Sequence, residues 1–73
     1  MKYNVDFVLE DDQRQILVIE VKAKATLGQE DLKGINELKS LTKNLFKKAI
    51  ILYQGNQIIP FADDIWAVPV ELI

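Results

Sequence analysis

Residues 16–23 read I-L-V-I-E-V-K-A, eight residues of which six are apolar, with one acid and one base embedded among them. A near-continuous apolar run rich in β-branched residues fits a strand buried on both faces. Strand side chains alternate, so Glu20 and Lys22 point to one side with Ile16 and Val18, while Leu17, Ile19, Val21 and Ala23 point to the other.

Upstream, residues 3–9 (Y-N-V-D-F-V-L) have strand composition with one charge, Asp6. Residues 10–15 (E-D-D-Q-R-Q) form a polar break of hairpin-loop length. A hairpin over 3–23 follows. Pairing positions that sum to 26 sets Asp6 opposite Glu20 and Glu10 opposite Ile16, leaving the loop within 11–15. The two carboxylates then stand roughly 4.5–5.5 Å apart at Cβ.

Downstream, Thr26-Leu27-Gly28-Gln29 fits a capping box opening a helix over 29–42. Leu32, Ile35, Leu38, Leu41 and Leu45 share one half of its circumference, and this half is expected to cover one face of the sheet. Lys33, Asn36, Glu37, Lys39, Ser40 and Lys43 occupy the other half. Residues 47–53 (K-K-A-I-I-L-Y) read as a strand that closes a right-handed crossover. After a turn at 54–57, a short segment is broken by Pro60. The last extended stretch, 65–70, contains Pro69, which confines it to an edge or a strand end. The order β-β-α-β-β gives an α/β (α+β) sandwich, a mixed sheet with one main helix, in a single domain spanning 1–73.

The chain has 73 residues, 49% of them apolar and 27% charged, with no cysteine and no histidine. That balance suits one small globular domain and excludes a disulfide scaffold. Zinc ligation and thiol or triad nucleophiles lack their residues. No apolar run approaches the ~20 residues of a membrane span, and no signal peptide is evident, so a cytoplasmic location is expected. A domain near 60 residues buries only about 60% of its unfolded surface, so further burial against a partner subunit is expected.

Charge is unevenly distributed. Between Lys22 and Lys48 the local net is +4, against −6 in the remainder. The basic segment suits either a phosphate backbone or a solvated helix face. The acids in the strands are more informative. Like charges at hairpin distance repel, and burial adds to the cost. A divalent cation relieves both, and two carboxylates with a backbone carbonyl are hard oxygen ligands of the kind Mg²⁺ takes. Lys22 beside them is placed to orient or deprotonate a water and to offset charge on a phosphate, the parts needed for metal-assisted phosphodiester hydrolysis. The alternative is a structural cluster in which Lys22 neutralises Glu20.

Asp6, followed after thirteen residues by Glu20-Val21-Lys22 within V-D-F-V-L and V-I-E-V-K-A, resembles the PD-(D/E)XK nuclease superfamily. More narrowly, the whole chain looks like the C-terminal nuclease-like domain, of unknown function, appended to bacterial and archaeal AAA+-type P-loop ATPases. The helix D-L-K-G-I-N-E-L and the tail, with Tyr53-Gln54-Gly55, Pro60-Phe61 and Trp66-Ala67-Val68-Pro69, carry that narrower resemblance.

The resemblance implies a restriction-endonuclease-like fold lacking the first helix and first strand of the full core, so that the chain reads as a truncated fragment. It implies Mg²⁺, with Mn²⁺ able to substitute, held by Asp6, Glu20 and the carbonyl of Val21, with Lys22 as catalytic helper. Lys24, Lys33, Lys39 and Lys43 would contact DNA phosphates. Where the family often has Glu-Val-Asp, this chain has Asn4-Val5-Asp6 and so lacks a second acid. No glycine-rich phosphate loop is present, and any ATPase activity would belong to a partner portion. The exposed sheet edge left by the missing strand favours a homo-oligomer. The competing expectation is a catalytically inactive module that docks protein or nucleic acid for such an ATPase. Tyr53, Phe61 and Trp66 are expected to pack in the core or at an edge, and Asp63-Asp64 to form a solvated turn.

Overall fold

A computed structural model describes residues 5–73. The beginning of the expected first strand, Tyr3 and Asn4, lies outside the described residues. The first strand, β1, covers Phe7–Glu10 and pairs antiparallel with β2, Ile16–Val21. Phe7 faces Ile19 and Glu10 faces Ile16, so every pair sums to 26 and the expected register holds. The intervening turn is built by Asp11, whose carboxylate accepts from the backbone N–H of Gln13 and Gln15. This is the local capping that suits Asp to turns.

A short 3₁₀ turn at Gln29–Leu32 leads into α1, Lys33–Thr42, and a second one at Lys43–Leu45 leads out. Strand β3, Phe46–Tyr53, runs parallel to β2. Strand β5, Ile65–Pro69, runs parallel to β3, and β4, Ile59–Ala62, pairs antiparallel with β5. The sheet is mixed and five-stranded, in the order β1-β2-β3-β5-β4, with one main helix, an α+β fold. Pro69 sits at the last position of β5, where its missing N–H does not interrupt the ladder. Tyr53 folds its ring over Gly55, where a Cβ would stand 2.2 Å from the ring. Its hydroxyl donates to the Gln57 carbonyl. The Tyr53-Gln54-Gly55 sequence is therefore a packing device.

The core lies between the helix and one sheet face. Leu32, Ile35 and Leu38 pack with Val18, Phe46, Ala49, Ile51, Tyr53, Ile65 and Ala67. Three expectations need correction. Strand β2 is buried on one face only: Val21 is exposed, and the row Phe7, Ile19, Ile50, Trp66 and the row Val21, Leu52, Val68 line a face with no helix over it. One helix can shield only one side of a sheet. The apolar stripe of α1 also ends early, because Leu41 and Leu45 lie beyond the sheet and are exposed. The capping box expected at Thr26 gives way to half of one, two residues later: the Asp31 carboxylate accepts from Gly28 N–H at 2.8 Å, and the Asp31 N–H donates to the Gly28 carbonyl because glycine has no side chain to return the bond. The helix begins at Gly28 because Asp31, buried three residues on, can reach back and Gln29, exposed, does not.

Two stability predictions follow from this packing. Ile35 is fully buried, whereas Leu41 is 57% exposed. Ile35→Ala should cost about 3–4 kcal/mol in urea denaturation and Leu41→Ala less than about 1 kcal/mol. Lys43 leaves the helix with φ 51° and ψ −121°, a backbone setting that favours glycine. Lys43→Gly should raise stability by about 1 kcal/mol in the same assay.

Candidate functional site

The ladder ends at the Phe7–Ile19 pair, and Asp6, in the bend just before β1, turns its carboxylate to accept from the N–H of Val21 at 2.7 Å. The N–H of Lys22 is spent on Leu52 of β3. Backbone groups along a strand alternate in direction, so Val21 presents its polar edge to the side where Asp6 lies.

Glu20 is only 4% exposed, in the row it shares with Ile51 and Ala67. Its Oε1 lies 3.7 Å from the Lys22 ammonium, and its buried Oε2 finds no hydrogen-bond partner among the described residues. Burial pushes the Glu20 pKa up. Lys22 opposes that shift, and the nearby Asp6 and Asp31 carboxylates reinforce it.

A polar cleft of about 290 Å³ opens above Glu20, lined also by Lys22, Glu30, Asp31, Lys33, Gly34 and Glu37. Asp31 is the residue that reading the sequence missed; it was only one charge in a helix start. It is 6% exposed and accepts two bonds of 3.0 Å from Lys24 besides the one from Gly28. The Gly28 N–H first, and then the two lysines, hold its carboxyl below the ordinary aspartate range despite burial. Its stabilising contribution is therefore present above the ordinary value of 3.8 and fades only as pH falls through the lowered one. The available signal was spacing: Asp31 follows Gly28 by three residues, the interval at which a carboxylate caps a helix start.

A family model described as "Domain of unknown function (DUF4143)" matches residues 1–73. The chain belongs to that family. Nothing among curated proteins or solved structures matches it.

In this DUF4143 domain the four lysines expected at a phosphate surface separate. Lys24 is held by Asp31, with Glu30 at 4.0 Å. Lys39 pairs with Asp64 at 2.8 Å and lies over the Phe46 ring. Asp63-Asp64 form the expected turn with Asp63 exposed, while Asp64 within it is also an ion-pair partner. Lys33 lines the cleft, and Lys43 is exposed at the far end of α1. Tyr53 and Phe61 pack in or against the core, whereas Trp66 lies on the uncovered face beneath Lys48. Among the described residues, no helix is long and apolar enough to cross a membrane.

Because folding raises the Glu20 pKa, its ionised carboxylate weakens the fold above the folded-state value and ceases to do so as pH falls through it. Glu20→Gln should therefore be more stable than wild type at pH 7, by about 1 kcal/mol. That advantage should shrink as pH falls toward the ordinary glutamate value of 4.5, read as urea midpoints at pH 7 and 5.

Proposed function

We propose that the domain is a Mg²⁺-dependent phosphodiesterase acting on DNA, of the PD-(D/E)XK type. The observation that carries this reading is the buried, unpartnered Glu20 Oε2, on a residue that lines a polar cleft with Lys22, while the Asp6 carboxylate is held at the neighbouring Val21 N–H. An orphaned buried carboxylate oxygen is costly, and coordination to a cation is one of the few ways to satisfy it. By chemistry the donors suit Mg²⁺ or Mn²⁺, since Asp6, Glu20 and the Val21 carbonyl are hard oxygen ligands; among the described residues no group of three or more acids gathers to hold a metal, so such a cation would rest on two carboxylates and a carbonyl. Such a cation supplies Lewis-acid polarisation of a phosphoryl oxygen and a more acidic water.

The chain's own residues do the remainder. Lys22 keeps an ammonium at the cleft wall, where it orients a water and offsets charge building on a phosphate. Lys33 extends the positive lining. In this reading, which rests on the family resemblance, such a domain would work beside an AAA+-type ATPase portion.

A second reading, a non-catalytic docking module for that ATPase, is favoured by a different observation. The outer sheet face is apolar and uncovered, and Lys24 and Lys39 are engaged by acids within the domain. The free β1 edge, exposed at all four residues, is where a second copy would pair in either case.

Supercoiled-plasmid cleavage in Mn²⁺ separates the readings. Wild type should nick DNA, and Glu20→Ala and Lys22→Ala should each lose at least about a hundredfold in rate. Equal cleavage by all three would mark a contaminating nuclease and overturn the enzyme reading.

A further inference from the structure

Glu20, Lys22 and Asp31 line the cleft and alternate in sign, and Lys24, paired with Asp31, continues the alternation. Their contacts are unequal. Lys24 makes two 3.0 Å bonds to Asp31. The Lys22 ammonium stands 3.7 Å from Glu20 Oε1 and 3.8 Å from Asp31 Oδ1, beyond good hydrogen-bond length to either. Lys22 is therefore the loosely held member, an ammonium balanced between two buried carboxylates. Asp31 is the fixed member, anchored by the Gly28 N–H and Lys24. A cation docked against Glu20 repels an ammonium less than 4 Å from the same carboxylate, and Asp31 is the other anion within reach of Lys22.

We propose that Asp31 is a positioning residue. It takes up the Lys22 ammonium when a divalent cation docks against Glu20, and Lys24, by occupying Asp31, sets how readily that shift occurs. The proposal rests on the metal-centre reading above and extends it to residues outside the Asp…Glu-x-Lys pattern. Its particular content is that Asp31 acts through Lys22. A carboxylate that merely added negative charge near the cation would act equally with or without that lysine. Handing the ammonium to Asp31 keeps it on the wall of the cleft that Lys33 also lines, facing the space an anionic substrate would fill.

The test is Mn²⁺ binding to the full chain, followed by electron paramagnetic resonance, in a double-mutant cycle. Asp31→Asn should weaken Mn²⁺ binding about tenfold when Lys22 is present and less than about twofold in a Lys22→Met background. Lys24→Met should tighten binding about threefold, and this gain should vanish once Asp31 is replaced. In a second measurement, the Lys22 side-chain ¹⁵Nζ resonance should move on addition of Mg²⁺ in wild type and stay in place in Asp31→Asn.

If thermal melts show that Asp31→Asn does not fold, Lys24→Met and Lys22→Met, which leave Asp31 in place, form the cycle instead. The Lys24→Met gain should then require Lys22. An Asp31→Asn penalty of equal size with and without Lys22, or a Lys24→Met gain that persists without Lys22, overturns the proposal. If wild type binds Mn²⁺ and Glu20→Gln does not, the metal-centre reading survives that result. If wild type binds no Mn²⁺, the metal-centre reading itself falls.

Discussion

Glu20 shares its row of the sheet with Ile51 and Ala67, so its carboxylate has lost most of its water without gaining a hydrogen bond at Oε2. A buried charge of this kind costs several kcal/mol unless a counter-charge and hydrogen bonds compensate it. The residues around it are arranged about that cost. Lys22 supplies the nearest positive charge, two positions along the same strand face. Asp6 turns its carboxylate to the Val21 amide, which gives it a donor of its own beside a second acid. Asp31 and Lys24 continue the alternation on the helix side of the cleft. What remains unpaired after all of this, among the buried side-chain atoms of the described residues, is Glu20 Oε2.

The same geometry divides the lysines into two groups. Those drawn into ion pairs join separate parts of the chain: Lys24 ties the end of β2 to the helix start, and Lys39 ties α1 to the β4–β5 turn. Asp64 also accepts the Ala49 amide through its backbone, so that turn is fastened both to the helix and to the central strand. Lys33 and Lys43 point to solvent. Of the lysines between β2 and β3, Lys24 and Lys39 thus serve the fold, while Lys22 and Lys33 line the cleft.

What the sequence revealed depended on how local the physics was. The hairpin register was legible because alternation in two apolar strands and a polar loop of fixed length leave little freedom, and the four ladder pairs from Phe7–Ile19 to Glu10–Ile16 follow it. The order β-β-α-β-β and the one-helix mixed sheet followed from apolar runs and a helical period. The partner of Lys24 was not legible, because Lys24 and Asp31 meet only after the chain bends through the 3₁₀ turn. Burial of β2 on both faces was overestimated for a related reason: an apolar run shows that a face can be covered, and covering it takes an element that this stretch of chain does not supply. The exposed Leu41 and Leu45 show the same limit, since helical spacing says which side a residue takes and not how far the sheet extends beneath it.

The two rims of the sheet differ in kind. β4 contains Pro60, which offers no N–H, and its pairing with β5 slips between Pro60 and Ala62. β1 at the opposite rim contains no proline, and its four residues are open to solvent. Strand addition is therefore one-sided: the β1 rim can accept a neighbour while the β4 rim resists one. Were a second copy to join at the β1 rim, the pair would present at its two outer boundaries the proline-bearing β4 strands.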